Sequence, residues 1–192
     1  MKVKSAISIV TAVLLSVFGN RAAAGEYYLG AYNSLKGIGA SAAFRSGDSG
    51  TMNIINLYAD MFGVFSGRTR DVGVAASFSR DYVLAYADFD YACLSIHAGP
   101  GCLAGYVRDF ERHFFSSEGE PYKNMGLVAA LTGNIGLSAD FFSHSVSIDV
   151  SFSVNPGVHI RKDKDNGALL LSLYKRGLYY CLIPQVCIYY RF

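Results

Sequence analysis

Tryptophan is absent from the 192 residues, proline and cysteine occur four times each, and charged side chains make up only 17%. After residue 24 nothing approaches the roughly 20 consecutive apolar residues that a membrane-spanning helix requires. Yet the chain is 52% hydrophobic, with a mean hydropathy of +0.25. A basic excess is also missing. Of 17 basic and 15 acidic residues, Lys2, Lys4 and Arg21 fall in the first 24, so the net charge of +2 becomes −1 once that segment is set aside. No basic nucleic-acid footprint is left. The cysteines lack C-x-x-C spacing, which argues against zinc or thioredoxin-like chemistry.

The first 24 residues read as a secretory leader. Lys2 and Lys4 supply positive charge, Ala6 to Phe18 an apolar run, and Ala22-Ala23-Ala24 a cleavage site. Residues 25–192 are then expected to form one exported domain. A hydrophobic exported chain without a spanning helix is either a tightly packed secreted β-domain or a membrane barrel.

Alternation of period two dominates that domain. Ile38 to Phe44, Leu57 to Met61, Val72 to Ser79, Ala92 to Tyr106 and Met125 to Phe142 each put apolar side chains at every second position. So do Val146 to Asn155, Leu169 to Tyr174 and the closing stretch Leu182 to Phe192. The sequence therefore predicts eight strands, with ten as the alternative if Tyr27 to Tyr32, Val158 to Ile160 or Gly177 to Cys181 also pair. The closing strand ends on an aromatic residue with nothing after it, and pairing it with the first strand leaves no bare edge. With both termini at one end, this count puts the tight Ser143 to Ser145 turn at the opposite end and the long Phe110 to Tyr122 connection beside the termini. That inverts the usual arrangement of an outer-membrane barrel.

The polar faces decide what surrounds the strands. Between Met125 and Ile160 the acidic and basic residues other than His144 and His159 are Asp140 and Asp149; the rest of that face is Ser, Thr, Gly and Asn. Small uncharged groups suit a narrow bore, whereas a water-facing sheet carries Lys and Glu. Lys and Arg gather in connections, Arg161, Lys162, Lys175 and Arg176 among them, while aromatics such as Tyr27, Tyr82, Phe110, Phe141 and Tyr190 sit near strand ends. Such a distribution fits interfacial girdles. The expected fold class is all-β, an up-and-down antiparallel transmembrane β-barrel.

In its leader, alternating strands, Gly-rich inner faces and aromatic closing strand, the chain resembles small Gram-negative outer-membrane β-barrels of the eight-stranded OmpX and OmpW type. The resemblance covers residues 25–192 in pattern, and its motif-like part is the last eight residues. It departs from many members in lacking Trp and in carrying Cys187. It implies export through the Sec pathway, contact with outer-membrane lipid and lipopolysaccharide, and an assembly signal for the barrel-assembly machinery on Val186, Ile188, Tyr190 and Phe192. No nucleic acid and no cofactor is expected, and the protein is expected to be a monomer.

By phase, Asp60, His97, Asp140, Asp149 and Arg191 face the lumen and are expected to form a hydrogen-bonded plug, with Asp149 or Asp60 as the partner of Arg191. Cys93 and Cys102 point to opposite faces, and Cys181 and Cys187 are too far apart along a strand to pair; a Cys93–Cys187 bridge across the bore is the alternative to four free thiols. Gly37-Ile38-Gly39-Ala40-Ser41-Ala42 matches a dinucleotide fingerprint, but it alternates like a strand instead of opening a helix. His144 with Ser145, Ser147 or Asp149 is a weak hydrolase triad beside the reading of His144 as a turn residue. The expected function is a non-catalytic integral outer-membrane protein, in envelope structure or surface-loop interaction. The alternatives are a lipid- or small-ligand-handling barrel, including a lipid-A-modifying hydrolase, and a secreted lipocalin-like calyx.

Overall fold

The computed structural model describes residues 25–46, 50–67, 70–110, 122–142, 145–163 and 167–192. Alternation builds ten strands: β1 (Gly25–Ser34), β2 (Gly37–Ser46), β3 (Thr51–Asp60), β4 (Gly73–Phe89), β5 (Ala92–Phe110), β6 (Tyr122–Phe141), β7 (Val146–Val154), β8 (Gly157–Lys162), β9 (Leu169–Leu173) and β10 (Gln185–Arg191). Two short helices interrupt them, α1 (Phe62–Phe65) and α2 (Lys175–Tyr179).

All pairings are antiparallel. Eight strands form a closed ring in the order β1-β2-β3-β4-β5-β6-β7-β10, with β10 returning to β1 and β5 joined to β6. The remaining pair extends two of these strands. β8 continues β7 along β6 after a break at Asn155-Pro156, and Leu131 N–H donates to the Pro156 carbonyl there. β9 lies against β8 as β10 lies against β7, so β9 and β10 share one strand position, interrupted by the excursion 174–184.

The register fixes the stagger of the ring. Gly50 O accepts from Val83 N–H, and the pairings then run from Val83 through His97, Gly136, Ser151, Gln185, Ser34 and Gly37 to Asp60, ten residues beyond Gly50 on the same chain segment. With ~3.3 Å per residue and ~4.8 Å between strands, that offset over eight strands corresponds to a tilt of ~40° and a bore that side chains can fill.

Several expectations are corrected. Tyr27 to Tyr32 lies within β1, a ring strand that the count of eight omitted, and Val158 to Ile160 lies within β8. Gly177 to Cys181 is not a strand but the end of α2 and the turn after it. The Val72 to Ser79 strand extends to Phe89, because Asp81 and Val83 keep the inward phase beyond Ser79. The closing strand begins at Gln185 and not at Leu182, since Pro184 has no N–H for a ladder. Counting β1 also reverses the ends. Phe192 and Gly25 share an end with the strand ends Ser46 and Thr51, Phe89 and Ala92, and Phe141 and Val146, and the opposite end carries Ser34 and Gly37, Asp60 and Gly73, Phe110 and Tyr122, and Lys162 and Leu169. Of the expected Ser143 to Ser145 turn, Ser145 lies beside the termini, where its carbonyl accepts from Arg191 N–H, and residues 143 and 144 are outside the described residues.

Candidate functional site

Each strand turns its alternate residues into the ring. On β7, Ser147, Asp149, Ser151 and Ser153 are buried, while Ile148, Phe152 and Val154 are exposed. The interior is not uniformly polar. Tyr28, Tyr32, Met52, Ile54, Tyr58, Leu103, Val107, Val128 and Tyr189 are buried among the Ser, Asp and His residues. Gly39 makes room for two of them: it pairs with Tyr32 on one side and Tyr58 on the other, and the two rings stack across it at 4.7 Å. A Cβ at Gly39 would lie 2.0 Å from the Leu57 carbonyl oxygen. The fingerprint-like glycines of β2 thus accommodate neighbouring backbone and rings, and Asp60, opposite Gly37 on β3, is engaged elsewhere.

The ionisable residues group at three levels instead of forming one plug. Beside the termini, Arg45 donates to Asp140 at 2.9 Å, Tyr28 donates to Glu26, and Arg191 donates to Glu26. Arg191 is thus paired at the rim with a partly exposed carboxylate, and not with Asp149 or Asp60. The short reach from β10 to the adjoining β1 explains the choice.

At the middle level His97 is fully buried between two carboxylates, with Nδ1 2.7 Å from Asp81 and Nε2 2.6 Å from Asp149. Two ionised carboxylates accept only, so matching both ring nitrogens requires the imidazolium with a proton on each. Ser138 donates to Asp149 and Asn134 to Asp81, each at 2.7 Å.

At the far end the excursion 174–184 turns inward. Arg176, 5% exposed, makes a two-pronged ion pair with Asp60 at 2.7 and 2.9 Å and donates to the Arg108 carbonyl. Asp109 accepts from the backbone N–H groups of Lys175 and Arg176. Phe62 of α1 lies against Tyr180 and under the Arg176 guanidinium. Gly177 is required here, because a Cβ would meet the Asn155 carbonyl oxygen at 2.0 Å. The geometry closes this end of the bore with a side-chain lid.

Of the expected lumen group, Asp60, His97, Asp140 and Asp149 are buried, but only His97 and Asp149 touch. Asp81, Arg45, Glu26 and Arg176 complete the three levels and lie outside the group that the sequence predicts. Asp81 and Arg45 lie on the inward phase just past the ends of the strands as read from sequence, so longer strands would have found them. Arg176 has no such signal. Val186, Ile188, Tyr190 and Phe192 lie on the outer phase of the closing strand, where Ile188, Tyr190 and Phe192 are exposed. All four cysteines are free; Cys187 is buried with its Sγ toward Asn56. Among the expected triad residues Asp149 is committed to His97 and Ser138, and His144 is outside the described residues. No cluster of metal-ligating residues occurs among the described residues.

Lys36, in the β1–β2 turn, is half-buried and lines the upper interior. Burial, assisted by the nearby Arg176 charge, lowers its pKa to about 8.

No protein-family model matches the chain, and no curated protein matches it. Among solved structures it is similar to a major outer membrane protein from Thermus thermophilus, with 12% identity and a TM-score of 0.45 over 88% of this chain and 100% of that one.

Proposed function

We propose that the protein is an integral outer-membrane β-barrel, exported by the Sec pathway, non-catalytic and monomeric. Its role is in envelope structure or in interactions of its far-end connections. The observation that carries this reading is the inversion of polarity across the ring. Leu131 is 72% exposed and Ile135 54%, while Thr132, Ser138 and Asp149 on the other face are nearly inaccessible. A soluble calyx has the opposite arrangement, and water would oppose exposure of so much apolar surface.

The dimensions agree with that reading. β1, β2 and β3 have ten residues each, which at ~3.3 Å per residue and ~40° tilt gives ~25 Å, the height of the apolar band of such barrels. At the terminal end two aromatic pairs lie over β2, β1 and β10, Tyr27 with Phe44 at a centroid separation of 4.9 Å and Tyr190 with Phe192 at 5.3 Å. Arg80 is an exposed charge on the outer phase of β4, close enough to the Tyr82 rim for its long stem to carry the charge outward. In this reading the outer face contacts lipid and lipopolysaccharide, the end that carries Gly25 and Phe192 faces the periplasm, and the end that carries the β1–β2 turn and the Arg176 lid faces outward. Val186, Ile188, Tyr190 and Phe192 present the closing strand to the assembly machinery.

The test is cell fractionation with gel mobility. The protein should stay with the outer membrane after a high-salt wash and migrate differently on an SDS gel with and without boiling. Release into the soluble periplasmic fraction without detergent would refute the proposal.

A further inference from the structure

The interior between the His97 level and the Arg176 lid contains a cavity with about 20 Å³ accessible to the centre of a water molecule. That is enough for one particle of water to halide size. Its walls are donor-rich. Ser77 accepts from Asn56 Nδ2, and Ser153 accepts from both Asn155 Nδ2 and Gln185 Nε2, so the hydroxyl protons of both serines remain to be donated. Ser79 is buried with no hydrogen bond to its hydroxyl among the described residues. The oxygens of Asn56 and Asn155 are taken by Ser41 and Thr132, leaving those of Asn134 and Gln185 as open side-chain amide acceptors.

The formal charge on this wall is Lys36. Its ammonium has neither an ion pair nor a side-chain hydrogen bond among the described residues, and Asp60, the carboxylate lining the gap above it, is held by both prongs of Arg176. A half-buried ammonium whose neighbouring carboxylate is already paired with a guanidinium is stabilised by a further anionic partner. With its pKa at about 8, Lys36 nevertheless remains charged at neutral pH.

We propose that this cavity, walled by Lys36, Ser77, Ser79 and Ser153, binds one small monovalent inorganic anion of chloride size. The anion accepts from the ammonium and the three hydroxyls and gives Lys36 a counter-charge that it does not share with Arg176. The site is internal and independent of what surrounds the ring, so a failed fractionation test would leave it standing.

The experiment uses the full folded chain in non-ionic detergent at pH 7 and compares thermal midpoints in sodium bromide and sodium gluconate at equal ionic strength. Bromide well above its dissociation constant should raise the midpoint by about 3 °C, and Lys36→Met should abolish the difference. Equal midpoints for the unaltered protein, or a difference that survives Lys36→Met, would overturn the site. Should Lys36→Met fail to fold, bromide-soaked crystals of the unaltered protein decide: an anomalous peak within hydrogen-bond reach of Lys36 Nζ supports it, and water alone in the cavity overturns it.

Discussion

Arg176 reaches Asp60 across the bore from a segment that leaves the wall for eleven residues, 174–184. Both partners are nearly inaccessible, at 5% and 6%, so removing one strands a charge in the interior. Arg176→Met is expected to cost about 3–5 kcal/mol in urea unfolding from detergent. Adding Asp60→Leu should recover most of that loss, because the penalty comes from the orphaned carboxylate and not from a lost attraction. A single variant within 1 kcal/mol of the unaltered protein would remove the lid role. The sequence made Asp60 visible, since it falls on the inward phase of an alternating strand, and the same holds for His97, Asp140 and Asp149. Arg176 stands among Lys175 and Gly177 in a stretch without period. Only three-dimensional closure shows that its guanidinium points in and not out to water.

The closing strand is the element with the most definite expected behaviour. Phe192 N–H donates to the Tyr27 carbonyl at 3.0 Å, extending the β10–β1 ladder to the last residue, and its ring packs against Tyr190. Deleting Phe192 removes one hydrogen bond and one exposed ring, a loss of about 1 kcal/mol in the refolded protein. Its effect on insertion in cells should be much larger if the residue is read during assembly. Normal amounts of the truncated chain in the outer membrane would show that it is not. Strand identity was legible wherever Leu, Ile, Val or Phe alternated with Ser, Asp or Gly. It failed at β1, where tyrosines face inward (Tyr28, Tyr32) and Leu29 and Ala31 outward, because Tyr belongs to either face. It failed again at α2, since a strand that pauses and resumes leaves no mark in a two-residue period.

For the whole molecule, the stagger of ten residues over eight strands sets tilt and bore together. The interior then holds three charged levels among tyrosines, and the exterior is left to Leu, Ile, Val and Phe. Alternation showed that two faces exist. It took the scarcity of Lys and Glu on the polar face to say which one is inside, and long-range pairing to show where the ends lie.

The absence of tryptophan provides a clean spectroscopic background. Phe152 is outward and 38% exposed on β7, whereas Tyr32 is inward and 1% exposed. In vesicles containing lipid brominated in mid-chain, Phe152→Trp should be strongly quenched while remaining insensitive to aqueous iodide. Tyr32→Trp should be nearly indifferent to both. Quenching of Phe152→Trp by iodide and not by the brominated lipid would place the apolar face in water and contradict the account.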